Sequence, residues 1–164
     1  MNWGDISIPS TIDKEEKIDR LVYEPSFFSE GRLAPSAFSL KGTEKKKETY
    51  ISVFRSNYYS LSEIMPPSPR NDGDRLCGKA ELLVKNVEAI SSPIKTNKII
   101  LHVIARGKGR YPFHAGIYSS IDGISINSEN AHTSPLVLYI QKELVRISNY
   151  VPLISSRNEQ VSQE

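Results

Sequence analysis

KIILHVIARGKGRYPFHAGIY, Lys98 to Tyr118, holds two apolar runs that read as β-strands on either side of a cation-rich loop. Side chains alternate between the faces of a strand with period two. Paired antiparallel across the 107–113 loop, with Arg106 opposite His114, the strands present two very different surfaces. One carries His102, Ile104, Arg106, His114, Gly116 and Tyr118, and the other carries Leu101, Val103, Ala105, Ala115 and Ile117. A slip of one residue exchanges the faces, so the register decides the reading. The near-continuous apolar run of Lys98–Arg106 also predicts burial on both of its sides.

Working outward, Asp122-Gly123 falls between two β-prone runs, the pattern that a type I′ hairpin turn requires because both central residues need positive φ. A helix follows. Ser134 is placed to cap it, Pro135 suits its first turn, and Leu136, Val137, Ile140, Leu144, Val145 and Ile147 form its apolar stripe. Asn149 and Pro152 are read as its end. Upstream, YISVFR (Tyr50–Arg55) alternates as a strand, with Ile51 and Val53 on one face and Tyr50, Ser52 and Phe54 on the other. Gly78–Ile90 alternates roughly as a further strand, broken near Asn86. Ile12, Ile18, Leu21 and Val22 fit a short helix capped by Thr11 or Asp13, although LVYE (Leu21–Glu24) reads equally as a strand.

Between these segments, Pro25–Ser39 reads as an ordered loop with hydrophobic anchors, and Ser56–Ser62 as a short helix or an irregular connection. Met65–Asp74 reads as loop, because three prolines and Asp72-Gly73 oppose regular structure. The expected architecture is α+β: a mostly antiparallel sheet of four to six strands with one C-terminal amphipathic helix packed on it. Residues 1–154 are expected to form a single globular domain, and 155–164 a frayed polar tail.

Composition narrows the functional classes. The 164 residues include 21 Lys and Arg against 19 Asp and Glu, a net charge of +2. That balance disfavours a dedicated nucleic-acid coat or a polybasic membrane binder, yet permits a local basic patch. The single cysteine, Cys77, makes neither an intramolecular disulfide nor a multi-thiolate zinc site, and reads as buried and inert. No secretory signal and no apolar run long enough to span a bilayer is visible, so a cytoplasmic protein with no membrane partner is expected.

The mixed face supplies the candidate chemistry. Arg106 is suited to clamp a phosphate or carboxylate, and His114 or His102 to move a proton. The loop adds Lys108, Arg110 and Tyr111 between glycines that let backbone amides approach an anion. Tyr118 adds a ring and a hydroxyl. An ordinary exposed hairpin tip has the same composition, and the Gly-Lys-Ser/Thr ending of a P-loop is absent. Lys45–Lys47 are largely cancelled by neighbouring glutamates.

Other constellations are weaker. His132-Thr133-Ser134 is a single His-x-Ser, where two-histidine phosphoesterase chemistry needs two. A zinc site from His102, His114 and His132 lacks a carboxylate at ligand spacing. Arg32, Ser36 and the Ser52 strand have the residue types of a nucleotide pocket, without a catalytic glutamate in a recognisable context. The expected function is a small binding or accessory module with a phosphate or nucleic-acid contact at the 102–118 hairpin, using no cofactor. A partner protein docking on a sheet edge or loops fits the same reading. The alternative is a small enzyme acting on a phosphate-containing or nucleotide substrate, with a histidine acid–base and an arginine anion clamp.

Overall fold

Alternating apolar side chains set the sheet, and the Asp122-Gly123 turn and the Ser134 cap mark divisions of the chain. The computed structural model describes residues 8–42, 45–61, 73–107 and 111–153. In chain order the strands are β1 (Lys17–Glu24), the two-residue β2 (Phe28–Ser29) and β3 (Arg32–Leu33), β4 (Ile51–Arg55), β5 (Arg75–Leu83), β6 (Ile99–Ala105), β7 (His114–Ile121), the short β8 (Ile124–Ser125) and β9 (Asn149–Pro152). Helix α1 (Val84–Glu88) follows β5, and α2 (Pro135–Ile147) precedes β9. The main sheet runs β6-β7-β4-β1-β5-β9 with β8 paired to β7, and every pairing is antiparallel. The α+β architecture is therefore the observed one.

The register of the founding hairpin is the expected one. Ala105 pairs with Ala115 and Val103 with Ile117, and the Arg106 amide donates to the His114 carbonyl at 2.8 Å. Asp122 and Gly123 take φ of 52° and 81°, as a type I′ turn demands. The Ser134 hydroxyl accepts from the Leu136 amide and caps α2. This cap is the structural role of the His132-Thr133-Ser134 segment.

Ile18, Val53, Leu82, Leu101 and Ile117 face one side of the sheet and are at most 1 % exposed. Leu136, Val137, Ile140 and Leu144 of α2 join them in one core cluster. Burying each such side chain contributes roughly 1.5–3 kcal/mol. Val84 and Val87 of α1 are buried in the same cluster.

Four expectations need correction. β6 is not buried on both sides: Leu101 and Val103 are covered, while Ile104 is 48 % exposed and His102 lies at the surface. The apolar run alone does not reveal that α2 and α1 supply cover for only one face. Gly78–Ile90 is not one strand, since β5 ends at Leu83 and Val84 and Val87 turn inward on α1. The helix reading gives way to its strand alternative, with Leu21–Glu24 inside β1, and Asp13–Glu16 is a turn closed by the Glu16 amide on the Asp13 carbonyl. Helix α2 stops at Ile147, and Asn149–Pro152 forms the edge strand β9 instead of a terminator. Pro152 is tolerated because it ends an edge strand. The connection after β4 contains a 3-10 turn, Ser56–Tyr58. The expectations for 65–72 and for the 155–164 tail lie outside the described residues.

One polar anchor crosses the core margin. Arg55, 1 % exposed, makes a two-pronged ion pair with Glu16, Nε to Oε2 at 2.6 Å and Nη2 to Oε1 at 2.8 Å. Nη1 donates to the Pro9 carbonyl and Nη2 also reaches the Thr11 carbonyl, and the Tyr58 ring lies against the guanidinium with its centroid at 4.9 Å. This one side chain ties the segment before β1 to the end of β4.

Candidate functional site

The face of β6, β7 and β4 turned away from α2 carries the polar and aromatic side chains. β4 lies between β7 and β1, so its outward residues Ser52 and Phe54 stand beside His114 and Gly116, with Phe54 directly across from His114 and Ser52 from Gly116. The absent side chain at Gly116 leaves a seat for Tyr50. A Cβ there would fall 2.6 Å from the Tyr50 ring, inside any contact that real Cβ atoms make. Tyr50 in turn meets Tyr118, with centroids 5.2 Å apart, and carries the Arg106 guanidinium 4.4 Å from its ring centroid. Arg106 also donates to the Tyr118 hydroxyl.

His114 sits at the junction of these groups. Its Nε2 and the Ser52 hydroxyl share a hydrogen bond of 2.7 Å, and the rings of Tyr50 and Phe54 flank it at 5.8 and 5.7 Å. Burial is the main cause that holds the imidazole pKa below its ordinary 6.5, and the Arg106 charge adds to it. His114 is thus neutral at pH 7, with a ring nitrogen available to accept a proton.

That depression makes a stability prediction. Below pH 6.5 the unfolded chain takes up a proton on this histidine while the folded chain resists it. Stability is therefore lost as pH falls from 6.5 to the depressed folded value, and His114 contributes no pH dependence above that window. In urea titrations between about pH 7 and pH 5, His114→Gln should lose less stability than the parent. Parallel losses in the two proteins would contradict the assignment.

An aromatic cluster closes one end of the face. Phe113, fully buried, stacks on Tyr59 at 5.2 Å and meets Phe54 and Tyr111 at 5.3 and 5.4 Å. The Tyr59 hydroxyl donates to Asp19 at 2.6 Å; burial first, and the Asp19 charge second, raise its pKa, so it stays a donor. Asp19 is itself fully buried and accepts from Ser56 Oγ at 2.7 Å and Lys79 Nζ at 3.1 Å.

Two openings lie beside the Ser52–His114 pair, the larger lined by His114 and the smaller by Ser52. An opening of about 680 Å³ is lined by Pro9, Tyr50, Arg106, Gly107, Pro112 and His114 among others. A smaller one, about 260 Å³, lies where β1 and β4 part after only two residue pairs, Ile18–Arg55 and Asp19–Phe54. Arg20 spans that gap, with Nε donating to the Ala37 carbonyl at 2.7 Å and Nη1 to the Ser52 carbonyl at 2.8 Å.

Of the residues singled out from the sequence, Arg106, His114 and Tyr118 come together around Tyr50. His102 pairs with Tyr118 across the strands, about 13 Å along the ladder from the His114 position at ~3.3 Å per residue. It is exposed, with Nδ1 3.9 Å from a Glu88 carboxylate oxygen. Tyr111 packs edge-on to Phe54 within the aromatic cluster. Lys108 and Arg110 lie outside the described residues. Arg32 is exposed in β3 and the Ser36 hydroxyl donates to the Ser26 carbonyl, so neither contributes to the opening at Ser52. Tyr50, Ser52 and Arg20 complete the constellation; of the three, only the Ser52 strand figures in an expected pocket, and there with Arg32 and Ser36 rather than with His114. The signal available was the outward placement of Tyr50 and Ser52 on YISVFR, which points to His114 only once β4 is known to pair with β7.

Comparison with known protein families, with curated proteins and with solved structures finds no match to this chain. Among the described residues no helix is long and apolar enough to cross a membrane.

Proposed function

We propose that this protein is a binding module whose open sheet face takes a phosphate-bearing ligand, with single-stranded nucleic acid the foremost candidate. The arrangement that carries the reading is Arg106 held over Tyr50 and bonded to Tyr118, with Arg106 exposed and the two rings half-buried on the face turned away from α2. Rings on a rigid sheet offer stacking surfaces to bases, and a guanidinium beside them meets phosphate. Lys108 and Arg110 of the adjoining loop would extend the cationic track. The net charge of +2 fits a confined contact better than a coat.

Labelled single-stranded RNA and DNA, titrated at several salt concentrations, test this reading. Binding should weaken steeply with salt, and an Arg106/Lys108/Arg110→Ala triple variant should flatten that slope. Tyr118→Ala should lower affinity by about 5- to 150-fold, the worth of a stacked base. Salt-independent binding, or none at low salt, would remove the anion contact and favour a protein partner on the same face.

The 2.7 Å bond between Ser52 and His114 favours a second reading, a small enzyme acting on a phosphate-containing substrate. In it His114 is the acid–base and Arg106, across the same opening, the anion clamp.

A further inference from the structure

We propose that Ser52 is a nucleophile activated by His114, and that the small opening between β1 and β4 is the acyl pocket of an esterase site for short carboxylic esters. The proposal rests on the enzymatic reading in its use of His114, and goes beyond it in the nucleophile, the pocket and the substrate.

Position is the first support. Ser52 and His114 stand on neighbouring strands in the middle of the sheet, and their side chains share a 2.7 Å hydrogen bond. A serine hydroxyl is a weak nucleophile until an adjacent base takes its proton, and hydrogen-bond contact between the two is the geometric requirement. Strand-borne groups keep that contact accurately. The groups facing His114 are Ser52, Tyr50, Phe54 and the Arg106 cation. No carboxylate is among these, so the surroundings favour a neutral imidazole able to act as base.

The pocket is the second support. Ser52 lines the 260 Å³ opening together with Leu21, Tyr23, Phe27 and Phe54, an apolar wall suited to a short acyl chain. Its size lies below the usual range for drug-sized ligands. Arg20 lines the same opening and donates from Nη1 to the Ser52 backbone carbonyl at 2.8 Å, which fixes a cation beside the strand that bears the nucleophile. Glu48 also lines the opening, and its carboxylate accepts from the Lys41 amide at 2.7 Å. Lys41 lines it as well, so with two cations beside this carboxylate the apolar wall is the feature that favours an uncharged ester.

The chemistry balances without a cofactor. Ser52 Oγ attacks the ester carbonyl while its proton passes to His114 Nε2. The tetrahedral intermediate collapses, the bond from the carbonyl carbon to the leaving oxygen breaks, and His114 returns the proton to the departing alcohol. Water, deprotonated by His114, then attacks the acyl-Ser52 ester. The carboxylic acid leaves and Ser52 recovers its hydrogen.

A fluorophosphonate probe tests the nucleophile directly, because an activated serine displaces fluoride and keeps the phosphonyl group. The full chain is incubated with the probe and read by intact mass and peptide mapping. In parallel, para-nitrophenyl acetate and para-nitrophenyl phosphate are offered as substrates. The expected result is one adduct at Ser52, absent in Ser52→Ala. His114→Gln should label at least about 100-fold more slowly, the scale of general-base catalysis. Acetate ester turnover should fall in step, with circular dichroism showing that both variants are folded. No adduct on the folded parent, an adduct elsewhere, or undiminished labelling of His114→Gln would overturn the proposal. Turnover of the phosphate ester that needs His114 but leaves Ser52 unlabelled would also overturn it while keeping the acid–base reading. Inertness toward both esters and the probe would end both.

Discussion

Arg55→Ala is expected to lose about 3–5 kcal/mol of folding stability, the cost of stranding one member of a buried ion pair. Natural domains are stable by about 5–15 kcal/mol, so the variant should be close to unfolding at room temperature. The size of the effect follows from where the charge sits. Arg55 is 1 % exposed and Glu16 is 9 % exposed, so removing the guanidinium leaves a carboxylate in a pocket that water barely reaches. The Pro9 and Thr11 carbonyls lose their donors in the same step, and the segment ahead of β1 loses its tie to β4. Urea denaturation followed by far-ultraviolet circular dichroism gives the number. A loss under about 1 kcal/mol would mean that the pair is solvated in the folded protein. Replacing both partners, Arg55→Met with Glu16→Leu, should recover much of the loss, because an apolar pair of similar volume leaves no charge behind.

Phe113→Ala is the second large effect, expected at about 3–5 kcal/mol, the usual cost of deleting a fully buried phenyl ring. The ring joins Tyr59, Phe54 and Tyr111, and the backbone carbonyl of the same residue accepts the Arg55 amide at 2.8 Å. Its loss should loosen the start of β7, and with it the His114 side chain that follows directly in the chain. Phe113→Leu fills most of the volume and should cost less than half as much. Thermal unfolding of both variants measures this. Equal destabilisation by Leu and Ala would show that ring stacking, not volume, holds the cluster.

Local rules made most of the fold legible. Ser134-Pro135 marks the start of α2 by capping chemistry, Asp122-Gly123 marks a turn by its need for positive φ, and Ile51 and Val53 mark a covered face by alternation. What failed depends on distant partners. Val84 and Val87 suit a helix as well as a broken strand, and only packing into the core decides between them. Asn149–Pro152 carries no strong alternation; it becomes a strand because β5 offers it an edge. Ile104 is as apolar as Val103, and its exposure is set by which face the helices cover. The candidate site divides the same way. Arg106, His114 and Tyr118 share a face within one hairpin, so their grouping follows from local register. Tyr50, Ser52 and Arg20 join them only through the strand order, which no short-range pattern encodes.

That strand order also bears on how the protein comes to be folded. β1 lies inside the sheet, with β4 on one flank and β5 on the other, although it precedes both in the chain. During synthesis it must wait through the whole stretch to Leu83 before both neighbours exist, and the outer strand β9 joins only after the other described strands of the sheet have emerged. Such non-local closure carries a large loop-entropy cost ahead of its reward, which places all-antiparallel sheets of this kind among the slower folders, in roughly the millisecond-to-second range. A nascent chain halted between β4 and β5 would present a bare, hydrogen-bond-hungry flank of β1, the kind of surface that chaperones shield and that neighbouring chains otherwise capture.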